Sequence, residues 1–175
     1  MEVEIGRGKK GRRGYGFDDI AIVPSRRTRD VDDVQIGMRL GDHSFKLPLL
    51  ASAMDGVVDP QMAILIGKLG GLGVLNLEGI QTRYEDANAK LDEIAALPKE
   101  KATRGLQEIY AEPMKDELVG RRIEEIKKGG VVAAASLTPQ RVRQYYRTAL
   151  EAGLDILVIQ GTVVSAEHVS STTTP

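Results

Sequence analysis

Cysteine is absent from the 175 residues. That absence excludes disulfides, thiolate metal sites and a thiol nucleophile supplied by this chain. Charge of one sign is also lacking: 24 Lys and Arg stand against 25 Asp and Glu, for a formal net charge of −1. Bulk electrostatics therefore offers no attraction to nucleic acid or to an anionic membrane, and neither is expected as a partner. No apolar run approaches the ~20 residues that a membrane-spanning helix needs. The basic N-terminal stretch has no apolar core after it, so no secretory signal is expected, and a cytoplasmic location is the default. The two histidines, His43 and His168, are far apart and lack flanking ligand residues, so no metal site is expected.

What remains has the composition of a globular protein, with 42% hydrophobic and 28% charged residues. The length suits one domain or a large piece of one. Residues 1–14, "MEVEIGRGKKGRRG", are polar and Gly-rich and read as a flexible arm. "VQIGMRL" and "HSFKL", separated by Gly41-Asp42, predict a β-hairpin.

From residue 47 the rhythm changes. "LPLLAS" predicts a buried strand, and Asp59 followed by Pro60 predicts a helix start, with the helix ending at Gly70-Gly71. "GVLN" predicts a second strand, and Thr82 with Glu85 predicts a capping box for a helix over 83–97. The unit then returns. "GVVAAAS" is a strand, Thr138-Pro139 starts a helix with Val142, Tyr145, Tyr146, Ala149 and Leu150 inward, Gly153 ends it, and "DILVIQ" is a strand. A βαβ unit written twice implies parallel strands and right-handed crossovers. In both the barrel and the doubly wound fold, ligands lie at the carboxyl ends of the strands. Those ends are Ser52 to Asp55, Asn76 to Glu78, Ser136 to Thr138 and Gln160 to Ser165. Four parallel strands do not close a barrel, and the chain reads as the first half of something larger.

Each of these residues also has a plainer reading. Ser52 suits a tight strand end, Met54 fills cores, Asp55 caps loops by accepting backbone N–H bonds, and Thr138 caps a helix. "GGLG" lacks the second half of the dinucleotide fingerprint and reads as helix end plus strand entry.

Three stretches together carry a family resemblance. "YGFDDIAIVPS", "PLLASAMDGVVDPQMAILIGKLGGLGVLN" and "GLDILVIQGTVVS" resemble, in order, the opening, the first βαβ unit and the fourth strand of the IMP dehydrogenase and GMP reductase family. The branch without regulatory CBS domains is the nearer likeness. The resemblance implies a (β/α)8 TIM barrel, present here as its first four strands over residues 15–175 after an N-terminal hairpin segment. Residues 98–129, which hold "PKEKATRG" and then a helical "RRIEEIKKGG", would be a linker where other members carry a CBS pair.

It further implies NAD-dependent oxidation of IMP to XMP in guanine nucleotide synthesis, a homotetramer, and a monovalent cation bound by residues outside this chain. Ser52, Met54 and Asn76 would meet the purine mononucleotide; Thr138, Gln160, Gly161 and Thr162 would meet NAD. The family's cysteine nucleophile has no counterpart here, so this chain alone is expected to be inactive and truncated relative to the enzyme. Three departures stand out: Gln160 replaces a usual Asp, Asn76 a usual His and Gly56 a usual Thr. The alternatives are GMP reductase with NADPH, a non-catalytic nucleotide-binding fragment, and a flavin-dependent barrel oxidoreductase.

Overall fold

The computed structural model of this chain describes residues 2–161. Two compact units are present, one ending at Gln35 and one beginning at Ile36. In the first, β1 (Glu2–Gly6) and β2 (Lys9–Arg12) pair antiparallel, with Glu2 opposite Arg12 and Glu4 opposite Lys10. The segment expected to be a flexible arm is therefore a hairpin over most of its length. Alternating acids on one strand face a basic strand, and Glu2 meets Lys10 at 3.5 Å and Arg12 at 3.3 Å. Such exposed pairs add little stability but favour one register. "FDDIAIVPS" forms no strand, and its Phe17 and Ile22 are 95% and 99% exposed.

The second unit opens with the expected hairpin, β3 (Met38–Leu40) against β4 (His43–Phe45). Then come β5 (Leu50–Ala51), α1 (Pro60–Leu69), β6 (Leu72–Asn76), α2 (Ala87–Ala95), α3 (Lys99–Tyr110), α4 (Asp116–Lys128), β7 (Ala134–Leu137), α5 (Pro139–Glu151) and β8 (Ile156–Ile159). Strands β5 to β8 form one parallel sheet in chain order. This is the expected α/β layout, four parallel strands of a partial TIM barrel behind an antiparallel hairpin.

The start of α1 follows its sequence signals. Asp59 Oδ1 accepts from the Met62 N–H at 2.6 Å, Pro60 is the first helical residue, and Gly70 ends the helix at φ 95°, which favours glycine. The next helix departs from expectation. Residues 80–82 make a 3-10 turn, Asp86 caps α2, and Thr82 Oγ1 donates to the Leu77 carbonyl at 2.6 Å instead of capping. Arg122 also donates to the carbonyls of Gln81 (3.0 Å) and Glu85 (2.7 Å). A helix running from residue 83 would need the Glu85 carbonyl for its own backbone ladder.

The expected linker, residues 98–129, is largely helical. It holds α3 and α4, and α4 packs against both α1 and α5. Leu118, Val119, Ile123 and Ile126 of α4 are all buried. The spacing at i, i+1, i+5 and i+8 sets one apolar stripe on the sheet side. So α4 is the core helix of the crossover from β6 to β7. The polar helices α2 and α3 instead close a satellite cluster of Ile80, Ala87 and Ile109. In α5 the stripe is narrower than expected: Tyr145 and Ala149 are buried, Val142 is partly buried, and Tyr146 and Leu150 face outward.

One polar device anchors the sheet. Asp155, before β8, accepts from Lys127 Nζ at 2.9 Å and from the Ala133 N–H at 2.8 Å. Desolvation pushes its pKa up, but the Lys127 and Ala133 bonds outweigh that, and His43 adds attraction, so the carboxyl is held below its ordinary value. A depressed carboxylate stabilises the fold fully above its unfolded value and loses that contribution as pH falls through the folded value. Asp155→Asn should therefore cost about 1 kcal/mol at neutral pH. In urea titrations the gap from the parent should narrow in strong acid; a gap independent of pH would contradict the ionic role.

Candidate functional site at the carboxyl ends of the strands

Alternation along the strands sets two faces. Leu75, Ala135 and Leu137 join the core beneath the helices, while Val74 and Ala134 face the other side with Leu72 and Phe45. Asn76 and Ser136 follow Val74 and Ala134 on that second face and are register partners. They therefore stand side by side where the strands end. With Ala53, Glu78, Thr138, Gln160 and Gly161 they line a hollow of about 410 Å³.

Its polar groups are arranged through local turns. Asn76 Oδ1 accepts from the Glu78 N–H at 3.1 Å, which leaves the amide NH₂ as the donor that Asn76 can offer. Glu78 reaches across to accept the Thr138 backbone N–H through Oε1. That bond takes one of the free donors at the start of α5, a position that favours negative charge. Thr138 stands at the N-cap as expected, yet its side chain makes no capping bond. The Gln160 backbone N–H continues the ladder to the Leu137 carbonyl at 2.8 Å. Ser136 is 1% exposed, and its Oγ has no hydrogen-bond partner among the described residues. A buried hydroxyl without a partner is uncommon.

The structure brings Asn76, Thr138, Gln160 and Gly161 together around this hollow. From the loop after β5 the hollow takes Ala53. Ser52 and Met54 are exposed neighbours on that loop and do not line it, and Thr162 lies outside the described residues. Asp55 behaves as the loop cap its plainer reading predicts. Its Oδ2 accepts from the Ile80 N–H at 2.9 Å and from the Tyr110 hydroxyl at 2.5 Å. The Arg83 guanidinium lies 5.9 Å from the Tyr110 ring centre and donates to the Glu78 carbonyl at 2.9 and 3.1 Å. Tyr110 is the residue that sequence reasoning missed. It sits within residues 98–129, where the sequence predicts a linker, and its placement at the end of α3 exposes its role.

Burial raises the Tyr110 pKa above its ordinary 10.0, and the Asp55 bond raises it further. A raised phenol stabilises the fold below its unfolded pKa and loses that contribution as pH rises. Tyr110→Phe should cost about 1–2 kcal/mol near neutrality. The parent should lose this advantage in alkaline solution, which unfolding measurements across that range would detect. A constant difference would show that the phenol–carboxylate bond does not matter. A second hollow, of about 450 Å³, lies on the outer helical layer beside Asp116, Glu124 and Thr148, away from the strand ends. Among the described residues, no three His, Cys, Asp or Glu side chains cluster to hold a metal, and no helix is long and apolar enough to cross a membrane.

Residues 14–174 match the IMP dehydrogenase / GMP reductase domain. The chain belongs to this family. An uncharacterized oxidoreductase of Mycobacterium tuberculosis (strain ATCC 25618 / H37Rv) is 44% identical over 174 residues, 97% of this chain and 46% of that protein. One from Mycolicibacterium smegmatis is 43% identical over the same shares. The inosine-5'-monophosphate dehydrogenase of Methanocaldococcus jannaschii is 33% identical over 67 residues, 38% of this chain and 14% of that protein.

Among solved structures, the IMP dehydrogenase/GMP reductase-like protein from Corynebacterium glutamicum superposes with a TM-score of 0.86 at 41% identity. The match covers 97% of this chain and 47% of that one. The chain thus spans about half the length of these full-coverage relatives. Within the IMP dehydrogenase / GMP reductase family these nearer relatives carry the name oxidoreductase.

Proposed function

We propose that this chain forms one part of the nucleotide-binding face of an oxidoreductase that converts IMP to XMP with NAD, acting as a cytoplasmic homotetramer. The observation that carries the reading is the gathering of Asn76, Thr138, Gln160 and Gly161 around one polar hollow at the strand ends. Barrel enzymes bind their ligands at that end. The unpartnered Ser136 hydroxyl fits a polar ligand there, because a ligand oxygen would satisfy it. NAD, when bound, supplies the hydride acceptor.

This chain's residues bind and orient. The Gln160 amide can both donate to and accept from ribose hydroxyls, and the Asn76 NH₂ and Thr138 hydroxyl add further partners. The exposed Ser52 and Met54 serve the purine mononucleotide, the hydroxyl toward its phosphate or ribose and the thioether against its base. The thiol nucleophile of the reaction comes from outside these 175 residues, which contain no cysteine.

Calorimetric titration of the chain tests this. IMP and NAD should each bind, and the chain alone should produce no reduced nicotinamide. Ser52→Ala should weaken IMP by ~1 kcal/mol or more and leave NAD affinity unchanged. Unaltered IMP affinity would refute the Ser52 assignment, and binding of neither ligand would refute the reading as a whole.

A further inference from the structure

Among the described residues that line the hollow, Glu78 is the single charged one. Its carboxylate spans the gap from the end of β6 to the start of α5, where Oε1 accepts the Thr138 N–H. The bonds of the described residues use Oε1 only, which leaves Oε2 to accept another donor. Nearby cations are committed elsewhere. Arg83 donates to the carbonyls of Glu78 and Glu112 rather than to the carboxylate. Arg141, in the first turn of α5, donates to Gln144 at 3.1 Å. Among the described residues the hollow therefore combines one carboxylate without a side-chain counterion and one buried, unpartnered hydroxyl, that of Ser136.

Resting on the proposal that this hollow takes the dinucleotide, we propose that Glu78 and Ser136 form a subsite for a ribose with free vicinal hydroxyls, with Glu78 selecting against a 2'-phosphate. The chemistry is that of acceptor and charge. A carboxylate accepts from a ribose hydroxyl, as the acidic residue at a strand end does in dinucleotide folds of the Rossmann type. The same carboxylate repels a phosphate dianion placed at that hydroxyl, and among the described residues no lining Lys or Arg offsets the repulsion. The helix start that would otherwise attract a phosphate is already occupied by Oε1. The Ser136 hydroxyl, neutral and buried, contributes affinity to either dinucleotide without distinguishing them.

The test is a titration of the full chain with NAD and with NADP, repeated on Glu78→Gln and Ser136→Ala. Glutamine keeps an oxygen for the Thr138 N–H, and the ratio of two affinities on one sample is insensitive to any loss of folded protein. The parent should prefer NAD over NADP by about tenfold or more, as expected for like-charge juxtaposition. Glu78→Gln should bring the two affinities close together. Ser136→Ala should weaken both by about fivefold, the scale of one lost bond, with the ratio unchanged. Equal binding of NAD and NADP by the parent, or a ratio untouched by Glu78→Gln, overturns this inference and leaves the proposed function standing. Binding of neither dinucleotide overturns both.

Discussion

Ile123→Ala is expected to lower the unfolding free energy by about 2–5 kcal/mol, the usual range for emptying a buried aliphatic site. Ile123 is fully buried in α4 and belongs to the main core with Leu75, Ala135 and Tyr145. The magnitude bears on function because α4 connects β6 to β7, the strands that carry Asn76 and Ser136. Had residues 98–129 been a linker, truncation at this position would change stability by a few tenths of a kcal/mol at most. Urea unfolding of the variant decides between the two. Glu124→Ala, one residue along and exposed, provides the control and should stay within about 0.5 kcal/mol of the parent.

Gly79→Ala should be nearly as damaging, at about 3 kcal/mol, although it adds one methyl group. A Cβ at Gly79 would lie 1.7 Å from Asp55 Oδ1. The carboxylate would have to leave, and with it the bonds from the Ile80 N–H and the Tyr110 hydroxyl. Bonds to a charged group are worth more than neutral ones. Placing Gly79→Ala in an Asp55→Ala background separates the causes. If the clash with the carboxylate is responsible, most of the cost disappears in the double variant. If the full cost persists, the loss belongs to the backbone at Gly79.

These two positions mark what the sequence could and could not disclose. The Asp59-Pro60 start of α1, its end at Gly70 and the parallel order of β5 to β8 were all legible. Each follows from local chemistry or from the repeated βαβ pattern. So was the clustering of Asn76, Thr138, Gln160 and Gly161, because the carboxyl ends of parallel strands converge whatever the side chains. The start of α2 and the presence of α3 were not, although "RRIEEIKKGG" in α4 read as helical. Thr82 and Glu85 satisfy the spacing of a capping box. The decision against it is tertiary: Leu77 takes the Thr82 hydroxyl, and Arg122 takes the Glu85 carbonyl from 37 residues away.

The hairpin of β1 and β2 was hidden because its alternating acids and bases lie in a polar, glycine-rich segment whose composition reads as a flexible arm. Within the site, Glu78 and Ser136 were candidates by position, and neither had a distinguishable role. The Glu78 bond to Thr138 spans 60 residues, and the isolation of the Ser136 hydroxyl appears only when its surroundings are known. Asp55 read correctly as a cap, but its partner Tyr110 lay 55 residues away in the supposed linker.

The central claim is that the carboxyl ends of β6, β7 and β8 form one dinucleotide-binding surface. Backbone amide chemical shifts of the chain, followed by NMR as NAD is added, test it most directly. The account predicts that the amides of Glu78, Ser136, Thr138, Gln160 and Gly161 shift together along one binding curve. Shifts confined to the outer groove between α4 and α5, or separate curves for Thr138 and Gln160, would contradict it.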